Sequence, residues 1–322
     1  MMLLCAEKNQ PQSNISVQLH DAEFLERMIT FGLCTIPSCV FLFINGTILF
    51  TLSKSVFRGT SRYILLSNLL LAETAQLAVC QVLFLLSVCR IWLTYPVCGT
   101  LTVFANVTNV ISPLTLMVMS LERYVAVCFP FRHALIVTVR NTRLAILSVW
   151  TFSSLHNIIR VVLLLEFPFQ GLGSLEMKDL CSELTMLLGS RSKAYDDAFT
   201  SFLFVSAAMV IISSYIGVII AARSASMGKA SALKARNTLM LHLVQLCLSL
   251  SSTIYNPMLV ALIKIVPTVV FIRLHKFLYV LIILFPRCLS SLIYGLRDQM
   301  IRPALLGHLC CQLKLKAAAV RG

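Results

Sequence analysis

Two ionisable residues of opposite charge stand inside long apolar runs of this sequence. Glu73 lies in the run that follows Arg62, and Arg287 lies in the last run of the chain. If these runs cross a bilayer, a lone charge near its centre costs about 2.5–3.5 kcal/mol or more, so each group needs a partner inside the protein. We expect Arg287 to pair with Glu73, and Ser112 to join them through a hydrogen bond. The alternative is that Glu73 is protonated and Arg287 faces elsewhere.

A second set of polar residues shares one face of a predicted helix. Thr102, Asn106 and Asn109 are spaced i, i+4 and i+7, which aligns their side chains along a helix. Polar side chains in a membrane helix face other protein groups, so this face points into the protein. It could bind a ligand, or it could hydrogen-bond to neighbouring helices.

The pattern of reactive side chains indicates neither an enzyme nor a metal site. The sequence holds no Ser-His-Asp arrangement and no cysteine or histidine spacing typical of zinc. His133, His242 and His308 all fall on the side that is predicted below to be cytoplasmic. We therefore expect no catalysis, no metal and no cofactor.

The composition predicts that membrane-spanning helices position these residues. Hydrophobic residues make up 58% of the 322 residues, charged residues make up 12%, and the mean hydropathy is +0.87. A soluble domain has about 25% charged residues. A helix needs about 20 apolar residues to cross the hydrocarbon core, where its backbone must be satisfied internally. The chain is therefore predicted to be an all-α membrane protein, a seven-transmembrane helix bundle with spans near 29–53, 63–88, 99–121, 143–165, 198–222, 239–262 and 272–296.

The charges between the spans predict the orientation. The net charge is +14, and one set of alternate loops is almost purely basic, with Asp298 as its acid. The other set mixes basic residues with most of the acids. Because basic loops stay in the cytoplasm, we expect an extracellular N-terminus and a cytoplasmic C-terminus. The basic loops would face anionic lipid or a cytoplasmic partner rather than nucleic acid. Arg160, near the outer end of the fourth span, is expected to snorkel to the interface.

The segment before the first span is predicted to be extracellular. Residues 1–28 are polar and lack the apolar core of a signal peptide, and the bundle follows at 29–297. Asn14-Ile15-Ser16 is a glycosylation sequon in this segment. We therefore expect Asn14 to be a glycosylation site.

The segment after the last span is predicted to lie on the cytoplasmic surface. Residues 298–322 are expected to form a short amphipathic C-terminal helix and a tail. The apolar side chains expected to dip into lipid are Met300, Ile301, Leu305 and Leu306. Cys310 and Cys311 follow directly and are palmitoylation candidates, or else two unmodified thiols.

Several motifs give the chain a resemblance to a known family. Glu122-Arg123-Tyr124 closes the third span, Trp150 lies in the fourth, and Tyr294 ends the seventh. These residues resemble the corresponding motifs of the rhodopsin-like G-protein-coupled receptors. The stretches 119–128, 132–142, 234–238 and 292–297 resemble those of odorant receptors, most closely those of teleost fish. One departure is Ser290-Ser291, which stands where the family has Asn-Pro.

The resemblance implies a signalling function. The chain would be an odorant receptor of the plasma membrane that binds a small-molecule odorant and activates a heterotrimeric G protein, of the stimulatory type that raises cyclic AMP. In the family, the arginine at the position of Arg123 pairs with the acid before it and, on activation, contacts the G protein and the tyrosine matched here by Tyr215. The further residues implied in coupling are Tyr124, His242 and Tyr294. The alternative for Arg123 is a basic anchor for lipid headgroups.

The resemblance also implies a ligand pocket and a disulfide. Matching family positions add Ala105, Phe199, Thr253 and Tyr279 to the polar face of the third span. The outer half of that span has no acid to bind an ammonium group, which argues against an amine ligand. Cys98 matches the family's disulfide cysteine, and Cys181 lies in the second outer loop. Both face an oxidising compartment, where a disulfide persists.

Other functions remain open at the level of sequence. A rhodopsin-like receptor for a non-odorant small ligand would have the same motifs. A transporter or channel is disfavoured because the sequence shows no internal repeat and no chain of ionisable residues within the spans. A retinal pigment is disfavoured because Leu284 stands at the family's Schiff-base lysine position. In the family, the position of Glu73 helps to hold a sodium ion, which Arg287 would replace here.

Overall fold

The computed structural model of the chain is mainly helical in the part that it describes, and its only β-type pairing there is an isolated bridge between Thr94 and Glu176. Of residues 10–27, 30, 55–56 and 222–224 it describes the backbone alone. The described residues are 10–89, 91–166, 176–177, 181, 186, 189–224, 240, 244, 247–248, 255, 258–267, 270–271, 274, 277–285, 293, 300–303 and 307.

Seven α-helices and one π-helical segment have defined bounds. The two short helices α2 and α5 connect α1 to α3 and α4 to α6. A π-helical segment, Tyr279–Leu284, lies in the predicted seventh span. The α-helices are α1 Gln10–Leu52, α2 Ser55–Arg58, α3 Ser61–Val88, α4 Tyr95–Cys128, α5 Pro130–Ile136, α6 Val139–Leu165 and α7 Ser190–Ser224.

Five helices among the described residues are long and apolar enough to cross a membrane. They correspond to the first five predicted spans, and the spanning part of α1 is Phe31–Leu52. The other four spanning stretches are Ser61–Val88, Tyr95–Cys128, Val139–Leu165 and Ser190–Ala221. The predicted sixth and seventh spans are described in part, by helical residues within 240–262 and 270–293.

Local sequence signals explain where the spans begin. Pro96 occupies the first turn of α4, where its missing N–H would have no intrahelical partner. Thr138 caps α6, since its hydroxyl oxygen accepts a hydrogen bond from the Asn141 amide at 3.1 Å. Pro130 likewise stands in the first turn of α5. Polar and proline residues between the apolar runs therefore set the connections.

The helix α4 lies at the centre of the bundle, where it contacts α3, α6 and α7. Its first turns carry Cys98, and its last turns carry Arg123. We call the two ends of the bundle the disulfide end and the Arg123 end. The main apolar core joins α1, α3, α4 and α7 around fully buried residues such as Ile48, Leu69 and Leu70.

One side chain predicted to lie in lipid is instead buried in protein. Ile301 has no exposed surface and packs into the main core with Ile44, Ile48 and Phe57. Its neighbour Met300 is exposed, as predicted. The prediction for Ile301 was wrong because helical periodicity identifies an apolar face but does not distinguish lipid from protein as its surroundings. Leu305 and Leu306 lie outside the described residues.

Candidate functional site

The polar face of α4 near the disulfide end is buried inside the bundle. Thr102, Ala105 and Asn106 are almost fully buried, and Asn109 is half-buried. The Thr102 hydroxyl donates to the backbone carbonyls of Cys98 and Gly99, at 3.0 and 3.1 Å. Its hydrogen is thus used within α4, which leaves the oxygen as the group available to another molecule.

The described residues of the connection between α6 and α7 pack at the disulfide end. A disulfide joins Cys181 to Cys98, with the two Cα atoms 5.6 Å apart. The Met177 amide donates to the Leu93 carbonyl at 3.0 Å, and this connection also buries Met186 beside Cys98. These contacts place the apolar side chains of Met177 and Met186, which we call the cover, against the first turns of α4.

Two aromatic rings from the predicted sixth and seventh spans contact each other. Tyr279 contacts Tyr255 edge to face, with ring centroids 6.5 Å apart. Tyr255 is almost fully buried. The sequence analysis identified Tyr279 and missed Tyr255, although a lone tyrosine in an apolar run is a recognisable signal. Thr253, also predicted for the pocket, lies outside the described residues.

Phe199 packs against α6. Its ring lies parallel to the His156 ring, with centroids 3.4 Å apart, and stacks on Phe152 at 5.9 Å. His156 is buried, and its Nδ1 lies 3.1 Å from the Tyr195 hydroxyl oxygen. The first turns of α7 are therefore held to α6 by a stack of rings, which we call the α6–α7 ring stack.

Arg160 forms an ion pair that the sequence analysis did not predict. Its Nη1 lies 3.1 Å from Asp196 Oδ1, and the two side chains are only 14% and 16% exposed. The sequence analysis missed this pair because it placed Asp196 in a loop, whereas α7 begins at Ser190 and carries Asp196 on its second turn. The ion pair extends the α6–α7 ring stack towards the disulfide end.

Glu73 is buried in α3, with only 4% of its surface exposed. Ser112 of α4 is buried as well. Arg287, the predicted partner of Glu73, lies outside the described residues, so the pair stays a prediction. In the described part of the chain, no group of three His, Cys, Asp or Glu side chains is placed to hold a metal ion.

A hydrogen-bonded network that the sequence analysis missed joins α3, α4 and α6 near Glu73. The Asn68 side chain of α3 donates to Thr115 Oγ1 of α4 at 2.9 Å. Its oxygen accepts a hydrogen bond from Trp150 Nε1 of α6, also at 2.9 Å. A second link joins α4 to α3, where the Thr108 hydroxyl donates to Gln76 Oε1. The bonds to Thr115 and Gln76 are buried and the bond from Trp150 is partly buried, so together they fix the relative positions of the helices.

We expect Trp150→Phe to destabilise the protein measurably. The change removes the indole N–H and leaves the buried Asn68 oxygen without that donor, which costs about 1–3 kcal/mol. The measurement is the melting temperature of the purified protein in detergent. Ser148→Ala, an exposed hydroxyl on the same helix, is the control and should melt like the wild type. Equal melting temperatures for Trp150→Phe and Ser148→Ala would contradict a structural role for the network.

Arg123 and Glu122 are paired at the other end of α4. Arg123 Nε lies 3.3 Å from Glu122 Oε2, and the side chains are 19% and 10% exposed. His133 of α5 approaches the second oxygen of the same carboxylate, with Nε2 at 3.9 Å. The carboxylate therefore lies between a guanidinium and an imidazole that come from different helices.

Tyr124 packs on a glycine of α7. A Cβ atom added to Gly217 would overlap the Tyr124 ring, so the absence of a side chain there permits the contact. On its other side the Tyr124 ring meets Phe129 edge to face, with centroids 5.9 Å apart. The sequence analysis did not single out Gly217, because one glycine in an apolar run has no distinctive pattern.

We expect Gly217→Ala to push the Tyr124 ring away from α7 and to lower the melting temperature. Overpacking of this kind costs about 1–3 kcal/mol. Gly46→Ala is the matched control, since a Cβ there would meet nothing within 4 Å. If both alanine variants melt at the wild-type temperature, the close packing of Tyr124 on Gly217 is contradicted.

The remaining predicted residues are described only in part. The Tyr215 hydroxyl oxygen lies 3.2 Å from Met240 Sδ, which links α7 to the predicted sixth span. The backbone of Asn14 belongs to α1, so the predicted extracellular segment continues into the first span as helix. His242, Tyr294, Cys310 and Cys311 lie outside the described residues.

Comparisons with known proteins agree with this arrangement. The family model for seven-transmembrane receptors of the rhodopsin family matches residues 44–294. Odorant receptor 131-2 of Danio rerio is 32% identical over 274 residues, which are 84% of this chain and 83% of the relative. Olfactory receptor 2A1/2A42 of Homo sapiens is 33% identical over 147 residues, 45% of this chain and 47% of that protein. Olfactory receptor 1M1 of Homo sapiens is 26% identical over 184 residues, 55% of this chain and 58% of that protein.

Proposed function

This chain belongs to the odorant receptors of the rhodopsin family of seven-transmembrane receptors, and we propose that it binds a small odorant near the disulfide end and activates a heterotrimeric G protein at the Arg123 end. One observation carries the proposal. The central helix α4 has a covered polar face at one end and the Glu122–Arg123 pair at the other. A ligand that prefers one arrangement of this helix shifts the population that the G protein meets.

The proposed orientation puts the disulfide end outside the cell. A disulfide persists in an oxidising compartment, which favours the extracellular side for Cys98 and Cys181. The basic loops then fall on the cytoplasmic side of the plasma membrane, as the charge rule requires. In this orientation Asn14 is a glycosylation site outside the cell, and Cys310 and Cys311 are palmitoylation sites inside it.

The proposed pocket lies beneath the cover formed by the α6–α7 connection. Asn106 and Asn109 would orient the ligand through hydrogen bonds, and the Tyr255–Tyr279 pair would form part of an aromatic wall. Few polar groups among apolar and aromatic side chains are typical of a site for small molecules. The further lining residues that we propose are Thr102, Ala105, Phe199 and Thr253. Such a site suits a small, weakly polar molecule.

Coupling would use the Arg123 end. Release of Arg123 from Glu122 would make its guanidinium available to the G protein, and Tyr215 is the proposed partner in the active arrangement. Tyr124, His242 and Tyr294 would complete this surface. We propose a stimulatory G protein and therefore a rise in cyclic AMP.

The test measures cyclic AMP in cells that express the chain with an olfactory-type stimulatory G protein, against a panel of water-soluble small molecules. We expect a dose-dependent rise that Arg123→Ala abolishes at matched surface expression. Arg140→Ala, an exposed arginine at the start of α6, is the control and should respond like the wild type. Silence across the panel would count against the odorant assignment, and an ion flux independent of Arg123 would contradict the receptor mechanism.

A further inference from the structure

A cavity of about 410 Å³ lies at the Arg123 end, between the end of α1, the short helix α2 and the first turns of α3 and α6. It is separate from the polar face of α4 and from the Glu122–Arg123 pair. The residues that matter for its chemistry are Phe57, Arg58, Tyr63, Asn68, Arg143 and Ile146. The volume falls in the range of sites that hold a small molecule or a headgroup.

Two arginines give the cavity a positive charge. Arg58 ends α2, and Arg143 lies in the second turn of α6. Both side chains are exposed, and within the described residues neither forms an ion pair. Guanidinium groups bind phosphate through paired hydrogen bonds. The cavity thus offers two phosphate-binding groups from different helices.

The walls beside the arginines are apolar and continue onto the outer surface of the bundle. Ile64 and Leu71 of α3 and Ile146 of α6 line the cavity. Leu71 is 51% exposed, and Leu144 and Leu147 continue the apolar surface along α6. Because α3 and α6 both span the membrane, this surface faces lipid tails. The Phe57 and Tyr63 rings, packed edge to face with centroids 4.9 Å apart, close the side towards α2.

We propose that this cavity is a binding site for an anionic phospholipid. The headgroup phosphate lies between Arg58 and Arg143, and an acyl chain follows Leu71 and Ile146 into the bilayer. The arginines and the apolar wall together indicate a charged lipid. A soluble anion would leave the apolar wall uncovered, and an uncharged lipid would leave the two guanidinium groups uncompensated. Basic pockets between membrane helices bind such headgroups.

The bound lipid would act on the bundle through Asn68. This residue lines the cavity and also holds α6 and α4 through Trp150 and Thr115. A lipid that fills the space between α3 and α6 therefore packs against the residue that ties three helices together. Its expected effect is to raise the melting temperature of the receptor.

The experiment counts lipids bound to the purified full chain by native mass spectrometry, after incubation with phosphatidylserine or phosphatidylcholine. We expect one tightly retained phosphatidylserine, and retention at least about tenfold weaker in Arg58→Gln/Arg143→Gln, because that variant lacks both charge-assisted contacts to the phosphate. Arg132→Gln/Arg140→Gln removes the same charge from exposed positions outside the cavity and should retain the lipid. Ile146→Trp, which fills the cavity and leaves both arginines in place, should also lose it.

Three results would overturn the proposal. If both double variants lost phosphatidylserine equally, the lipid would be bound by surface charge alone. Equal retention of phosphatidylcholine would mean that the arginines do not select the headgroup. Displacement by soluble glycerophosphoserine as readily as by the lipid would identify a site for a free anion. No odorant or G protein enters the measurement, so its outcome is independent of the proposed signalling function.

Discussion

Asp196→Ala is expected to reduce the amount of receptor at the cell surface severalfold, because it leaves the Arg160 guanidinium without its carboxylate partner. The two side chains are largely withdrawn from solvent and lie 3.1 Å apart. Removal of one member of a buried pair costs about 3–5 kcal/mol, and the remaining exposure of this pair places it at the lower end of that range. Arg160→Ala should have a similar effect. Surface labelling and the melting temperature of the purified protein are the measurements.

The reversed pair provides the decisive variant. Arg160→Asp/Asp196→Arg restores opposite charges across α6 and α7 and should recover part of the lost expression. A matched control exists near the same end of the bundle, where Arg191 and Glu166 lie 3.7 Å apart with 85% and 52% of their side chains exposed. Glu166→Ala should have little effect, because exposed pairs contribute about 0–1 kcal/mol. Equal losses for Asp196→Ala and Glu166→Ala would refute the importance of burial.

The hypothesis that Arg287 pairs with Glu73 predicts the second large effect. Glu73→Gln and Arg287→Met should each lower surface expression strongly, since each leaves a charge deep in the membrane without its counterpart. The double change should recover part of the loss, because both charges are then absent. Expression at the surface, measured beside total expression, separates misfolding from poor synthesis.

Additive losses in the double variant would contradict the pair. They would favour a separate role for Glu73, such as a share in a sodium site. Gln81→Leu is a suitable control, since it removes a polar group from the same helix whose partner, Thr35 Oγ1 of α1 at 2.9 Å, is neutral. Its effect should be smaller than that of either charged variant.

The fold class follows from hydropathy, and the prediction of a seven-transmembrane bundle is confirmed. Hydropathy does not predict where the helices begin and end. Hydropathy begins the fifth span near residue 198, but α7 begins at Ser190 and includes the polar turns before it. A helix continues beyond the hydrocarbon core wherever its backbone hydrogen bonds and its contacts favour it. The Arg160–Asp196 pair was missed for that reason.

Within the spans, the sequence predicted well which side chains are buried. It predicted poorly which residues those side chains contact. Periodicity placed Thr102 and Asn106 on an inward face, and both are buried. It could not show that Asn68 contacts Trp150, residues far apart in the chain, because that contact depends on how α3 and α6 pack. The π-helical segment Tyr279–Leu284 was not predicted either. Its wider turn changes which side chains share a face, compared with an α-helix of 3.6 residues per turn.

The cover at the disulfide end has a consequence for the time course of a response. If odorants enter the proposed pocket at this end, a molecule arriving from water would pass beside Met177 and Met186, both buried next to Cys98. The backbone there is tied by a disulfide, but an unbranched thioether side chain changes rotamer readily. An odorant held weakly in the proposed pocket would then exchange quickly, and the receptor would follow a changing concentration rather than accumulate past exposure.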